Sequence, residues 1–177
     1  MKPLRGLSLL CAFSSFLFLC FASWARAVNL PDSCGDDKVK FDVKTESNRP
    51  APAPPTGGMA QIVLIQNENE MVAPFSNATV RFGIDGSWVG ANNGNSYFAV
   101  LVAPGVHHLC ANWQSSLSLA KNVGLMSLTA EAGQTYFFAA QVTVNGRNAP
   151  TFAFSKMNDD EGKWQVKTQK LSTAKPK

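Results

Sequence analysis

The sequence predicts an all-β protein: a single sandwich of about seven to nine strands, transthyretin-like or immunoglobulin-like in outline. Three observations predict it. Apolar or alternating runs are short, and turn signals built on Gly, Pro, Asn and Asp recur between them. No apolar stripe of helical period appears before Asn158.

The elements follow in order. Val39, Phe41 and Val43 alternate with Lys38, Lys40, Asp42 and Lys44, the pattern of a half-buried strand. Four prolines in Arg49–Gly58 remove amide donors, so this run reads as an extended linker or surface crossing. Gln61–Gln66 is an apolar strand, and Thr79–Ile84 is another that ends at the tight-turn pair Asp85-Gly86. Ser87–Gly90 returns, Asn92–Asn95 turns, and Ser96–Ala103 is apolar on both faces, as a central strand is. Pro104-Gly105 leads into Val106–Trp113, and Gln114–Gly124 reads as a longer loop. Val123–Ala130 and Thr135–Val144 flank Ala132-Gly133, Asn145-Gly146 turns again, and Thr151–Ser155 is a last short strand. Asn158 with Glu161 three residues later matches a helix cap, although Gly162 weakens that helix. The organisation expected is a leader at 1–27, an N-terminal strand and Pro-rich linker at 28–58, the sandwich at 59–157, and a short helix or tail at 158–177.

The leader has the three parts of a Sec-type export signal. Lys2 and Arg5 make it positive, Leu7–Ala22 is apolar, and Ala25-Arg26-Ala27 is an A-x-A cleavage site. Serines 14 and 15 interrupt the apolar run, which falls short of the roughly 20 residues that span a bilayer. Lipidation at Cys20 is the lesser alternative, because Leu19 precedes it where a small residue is wanted. The expected destination is the periplasm or beyond, with membrane contact only through the signal. Cleavage after Ala27 removes three of 16 Lys and Arg, leaving 13 against 12 Asp and Glu. A nearly neutral domain of this kind lacks the clustered positive charge of a nucleic-acid binder.

Cleavage also removes Cys11 and Cys20, leaving Cys34 and Cys110 as one pair in an oxidising compartment. A disulfide between them is the simplest reading, and two separate buried thiols are the alternative. No C-x-x-C suggests a redox role.

Several stretches together resemble an uncharacterised bacterial envelope family known only as a domain of unknown function. They are Arg81–Gly90, Ser96–Phe98, Ala103–Gln114, Leu128–Phe138, Cys34-Gly35 and Phe41–Val43. The chain is also similar to the PEGA-type surface-module pattern, with Asp85-Gly86, Gly90, Pro104-Gly105, His107 and Gly133 at the matching places. The resemblance implies a transthyretin-like or immunoglobulin-like sandwich in an exported protein, and it brings no catalytic residues.

Candidate chemistry is sparse. His107-His108 is the first place to look for a metal, but neighbours on a strand point to opposite faces and no third ligand is evident. A Ser-His-Asp set can be written from Ser115 or Ser116, His107 or His108, and Asp85, without a nucleophile elbow to support it. Cys110 shares a strand face with His108, but a disulfide would silence it. Asp159-Asp160-Glu161 lacks a calcium-loop pattern and suits a helix start. The Asn77 glycosylation sequon is idle in a bacterial protein. No metal, cofactor or catalytic residue is therefore expected. Tyr97, Phe98, Tyr136, Phe137 and Phe138 read as core, whereas Trp88 and Trp113 at strand ends are candidate ligand contacts. The expected function is a non-catalytic structural or interaction module of the envelope, its partner an envelope protein or a glycan. The alternative is a carbohydrate or small-ligand binding domain using Trp88, Trp113 and the 114–124 loop.

Overall fold

In the computed structural model the described residues are 30–69, 78–114, 123–143 and 151–177. The expected export leader, the sequon at Asn77, Ser115 and Ser116 with most of the 114–124 loop, and the expected Asn145-Gly146 turn lie outside them. The described chain forms ten strands and one helix: β1 (Phe41–Glu46), β2 (Ala60–Glu68), β3 (Thr79–Ile84), β4 (Ser87–Asn93), β5 (Ser96–Val102), β6 (Gly105–Trp113), β7 (Val123–Ala130), β8 (Thr135–Thr143), β9 (Thr151–Lys156), α1 (Asp159–Thr168) and β10 (Lys170–Pro176).

The strands form two sheets. One has six strands in the order β1-β10-β5-β2-β8-β9, and the other has four in the order β4-β3-β6-β7. Pairing is antiparallel except where β2 runs parallel to β8 and β10 runs parallel to β5. An all-β sandwich results, as the strand and turn pattern predicts.

The alternation of side chains sets the core. Ile62 and Leu64 of β2, Val80 and Phe82 of β3, Leu109 and Ala111 of β6, and Phe138 and Ala140 of β8 are buried together between the sheets. Phe82 lies edge-on to Phe98 at a centroid distance of 5.7 Å, and Phe154 packs on both Phe82 and Phe138. The unbroken apolar run of β2 is also explained. Val63 and Ile65 point the other way, into a second cluster with Tyr97, Phe137, Met157 and Val166 under α1. A central strand covered on both faces needs apolar residues at every position.

One strand was not legible: β10, expected within a short helix or tail, pairs along all of β1, from Phe41 opposite Pro176 to Glu46 opposite Leu171. The helix does form. Asn158 Oδ1 accepts the Glu161 amide at 2.9 Å, with three acids in the first turn. Gly162 is there for packing rather than as a breaker, because a Cβ would lie 2.2–2.7 Å from the Phe137 ring stem.

Candidate functional site

The chemistry-bearing residues gather on the outer face of the four-stranded sheet, where residues 30–40 lie as a strap. In β3, Val80, Phe82 and Ile84 face the core, so Arg81 and Gly83 face out. Gly83 admits the strap, since a Cβ there would come within 3.2 Å of the Ser33 carbonyl and 3.3 Å of Cys34 Cα. Opposite Gly83 on β6 stands Cys110, and it is bonded to Cys34 with Cα atoms 5.1 Å apart. Both cysteines are buried.

Arg81 is the organising cation. Only 3% exposed, it donates from Nε to Asn112 Oδ1 at 3.0 Å and from Nη1 to the Asp37 carbonyl at 3.0 Å. Further bonds run to the Val39 carbonyl and, from Nη2, to Asn112 Oδ1. Burial pulls its pKa down, opposed by Asp37 and Asp36, yet a guanidinium remains charged at any ordinary pH. Its carbon stands 4.4 Å from the centroid of the Trp88 ring, a cation–π contact. Trp88 Nε1 in turn donates to the Asp36 carbonyl at 2.7 Å, and the ring lies against Gly35, where no side chain would fit. Gln114 completes the strap by accepting the Phe41 amide at 2.8 Å and donating to the Phe41 carbonyl. The strap is thus held by side chains, one covalent bond and isolated backbone bonds such as that from the Gly86 amide to the Ser33 carbonyl, where a strand would be held by a ladder.

Beside the disulfide is an open depression of roughly 440 Å³ lined by Asp32, Ser33, Asp85 and His108. Asp85, in the left-handed region at φ 51°, makes the β3–β4 turn. Its Oδ1 accepts the His108 amide at 2.8 Å and its Oδ2 meets His107 Nδ1 at 2.7 Å. The other His107 nitrogen, Nε2, lies 2.8 Å from the Ala103 carbonyl. Both neighbours are acceptors, so a ring that makes both bonds at once carries a proton on each nitrogen. The Ala103 carbonyl and then Asp85 hold the His107 pKa above its ordinary value. Burial pushes the Asp85 carboxyl up, but the His108 amide and the His107 ring outweigh it, and its pKa lies below the usual range. With both ring nitrogens engaged, His107 is a latch between two turns.

The sequence-derived candidates separate accordingly. Cys34 and Cys110 come together. Trp88 and Trp113 do not: Trp88 sits outside under the strap, whereas Trp113, opposite Val80, packs against the core between the sheets. Both are only partly exposed, on opposite faces of one sheet. Among the described residues no three His, Cys, Asp or Glu side chains converge as metal ligands, and no helix is long and apolar enough to cross a membrane. Arg81 was missed by sequence reasoning. The available signal was a lone charge at an outward position of an otherwise apolar strand. No protein-family model, no curated protein and no solved structure matches the chain.

Proposed function

We propose that this chain is a non-catalytic structural or interaction module of the bacterial envelope, exported by its leader and oxidised there. One observation carries the reading: the strongest polar groups of the four-stranded sheet and its turns are engaged within the chain. Asp85 has both oxygens bonded, His107 both nitrogens, and Arg81 binds the strap carbonyls and Asn112. Such a constellation holds a surface in place and, among the described residues, leaves no paired nucleophile and base. The export leader, the PEGA-like placing of Asp85-Gly86, Pro104-Gly105 and His107, and the Cys34–Cys110 bond support the same compartment and role.

The test is crosslinking in living cells, followed by mass spectrometry of what the exported protein touches. Reproducible capture of a protein at the cell envelope is the expected result. Saturable glycan binding by the purified chain, with no protein captured, would overturn the proposal in favour of a carbohydrate-binding domain.

A further inference from the structure

The Pro-rich run between β1 and β2 is more than a tether. It lies within 30–69, described without a gap, and its peptide bonds are all trans. Prolines 50, 52, 54 and 55 fix their own φ, and each holds the residue before it in extended backbone. Arg49, Ala51, Ala53 and Pro54 are held in this way, so Arg49–Pro55 is a polyproline II helix with three residues per turn. Burial has the same period. From Ser47 to Gly58 only Pro52 and Pro55, three residues apart, are partly buried, and the rest are exposed. One edge of this helix therefore rests on the protein, and two stand clear of it. Pro50 and Ala53 lie on one outward edge, Ala51 and Pro54 on the other. The ridge is fixed in place at its middle and at both ends. Gln61 faces away from the inter-sheet core, and its Nε2 donates to the Ala53 carbonyl at 2.9 Å. Arg49 meets Glu46 of β1 at 3.2 Å. The Thr56 carbonyl accepts the Met59 amide at 3.2 Å, closing a turn through Gly57 and Gly58, both at positive φ. Among the described residues no hydrogen bond engages the carbonyls of Pro50, Ala51, Pro52 or Pro54.

We infer that Pro50–Pro55 is a docking ridge for another protein, one that offers a groove lined by aromatic side chains with a carboxylate at the Arg49 end. The inference gives the partner's chemistry within the interaction-module reading and rests on it. Conformation, surface and charge each select this occupant. A ridge already held in the polyproline II form loses little conformational entropy on binding. Its outward proline rings are apolar and fit between aromatic faces, while the unbonded carbonyls accept from Tyr O–H or Trp N–H groups of the same groove. Arg49 is the one charged residue from Ser47 to Gly58, so the ridge attracts an acid at its head. The Glu46 pair does not prevent this. Both of its side chains are more than half exposed, and an exposed pair is worth little. An added strand is the wrong occupant, because proline supplies no amide for a ladder. A second copy is also the wrong occupant. Among the described residues Trp88 lies under the strap, Trp113 packs on the core and Trp164 stands alone on α1, so this chain offers no aromatic groove.

The experiment uses the full exported chain with a benzophenone amino acid at Ala51, on an outward edge of the ridge. Crosslinking is done in living cells, and the joined peptides are identified by mass spectrometry. The expected capture is an envelope protein, joined at a peptide that carries Trp, Tyr or Phe. Pro50→Ala with Pro54→Ala removes two exposed rings, leaves the fold and the Cys34–Cys110 bond in place, and lowers that capture about tenfold or more. Ala53→Arg keeps every proline but crowds the groove, so it lowers capture as much and decides the matter should the double variant not fold. Arg49→Glu lowers it severalfold, because it opposes the carboxylate of the groove. Capture that survives both the double variant and Ala53→Arg overturns the inference. So does a joined peptide without an aromatic residue. The same photoreactive amino acid at Leu125, on the other sheet, separates this inference from the reading beneath it. Capture from Leu125 alone sinks the ridge and leaves the module standing, whereas capture from neither position sinks both.

Discussion

Arg81 and His107 show how single side chains hold this surface. A buried guanidinium needs acceptors, and Arg81 finds them on Asn112 and on two strap carbonyls. Arg81→Ala would leave those acceptors facing a void, and we expect it to destabilise the fold by about 3 kcal/mol in urea titration. Arg81→Lys should recover little, because an ammonium cannot fork between Asn112 and the strap. The His107 latch has a pH signature. Because its folded pKa is raised, its stabilisation is fully present below the unfolded value of about 6.5 and is lost as pH rises through the folded value. Asp85, with a depressed pKa, contributes above its unfolded value and loses that contribution as pH falls through the folded one. The difference in melting temperature between wild type and His107→Gln should therefore be largest near pH 5 and shrink by pH 8. Neither role was legible beforehand. Arg81 looks like any outward strand charge, and a His-His pair is silent about which ring is held.

At the level of elements, α1 and β10 are instructive opposites. The cap of α1 is written locally, in Asn158 and Glu161, and the structure uses it. The reason for Gly162 is remote, a ring stem on β8 that fills the place of its side chain. Gly162→Ala would gain about 1 kcal/mol of helix propensity and lose more to overpacking against Phe137, for a net loss of about 1 kcal/mol in thermal unfolding. A gain in stability would mean the ring yields. Strand β10 has the reverse character. Its sequence, Lys-Leu-Ser-Thr-Ala-Lys-Pro, has no apolar alternation, yet it is a strand because β1 offers it a full edge. Tertiary context overrides weak local preference in this way wherever a neighbouring strand supplies the hydrogen bonds.

Across the whole molecule, the disulfide is, among the described residues, the one covalent tie between distant parts of the chain. It joins residues 76 apart in sequence, with β1 to β5 lying between them. In the chain-entropy picture such a loop contributes about 4–5 kcal/mol. The double variant Cys34→Ser, Cys110→Ser should lose stability of that order in denaturant titration. Amide exchange should quicken first in residues 30–40, because the strap has no ladder of its own. Equal protection in both forms would mean that Arg81, Trp88 and Gln114 suffice.

What the sequence determined by itself was whatever depends on neighbours along the chain. Alternation and turns settled the all-β class and most strands, while Asn158 and Glu161 marked the helix start. Cys34 and Cys110, the pair expected to survive export, pointed to one bond, and they are bonded to each other. What only the tertiary structure decided was which faces are covered. Strand pairing sets Trp88 and Trp113 on one sheet, and the register of β3 with β4 and β6 puts them on opposite sides of it. The same pairing buries Arg81 under a strap that no local pattern announces. Burial depends on contacts between residues far apart in sequence, and those exist only once the sheets are assembled.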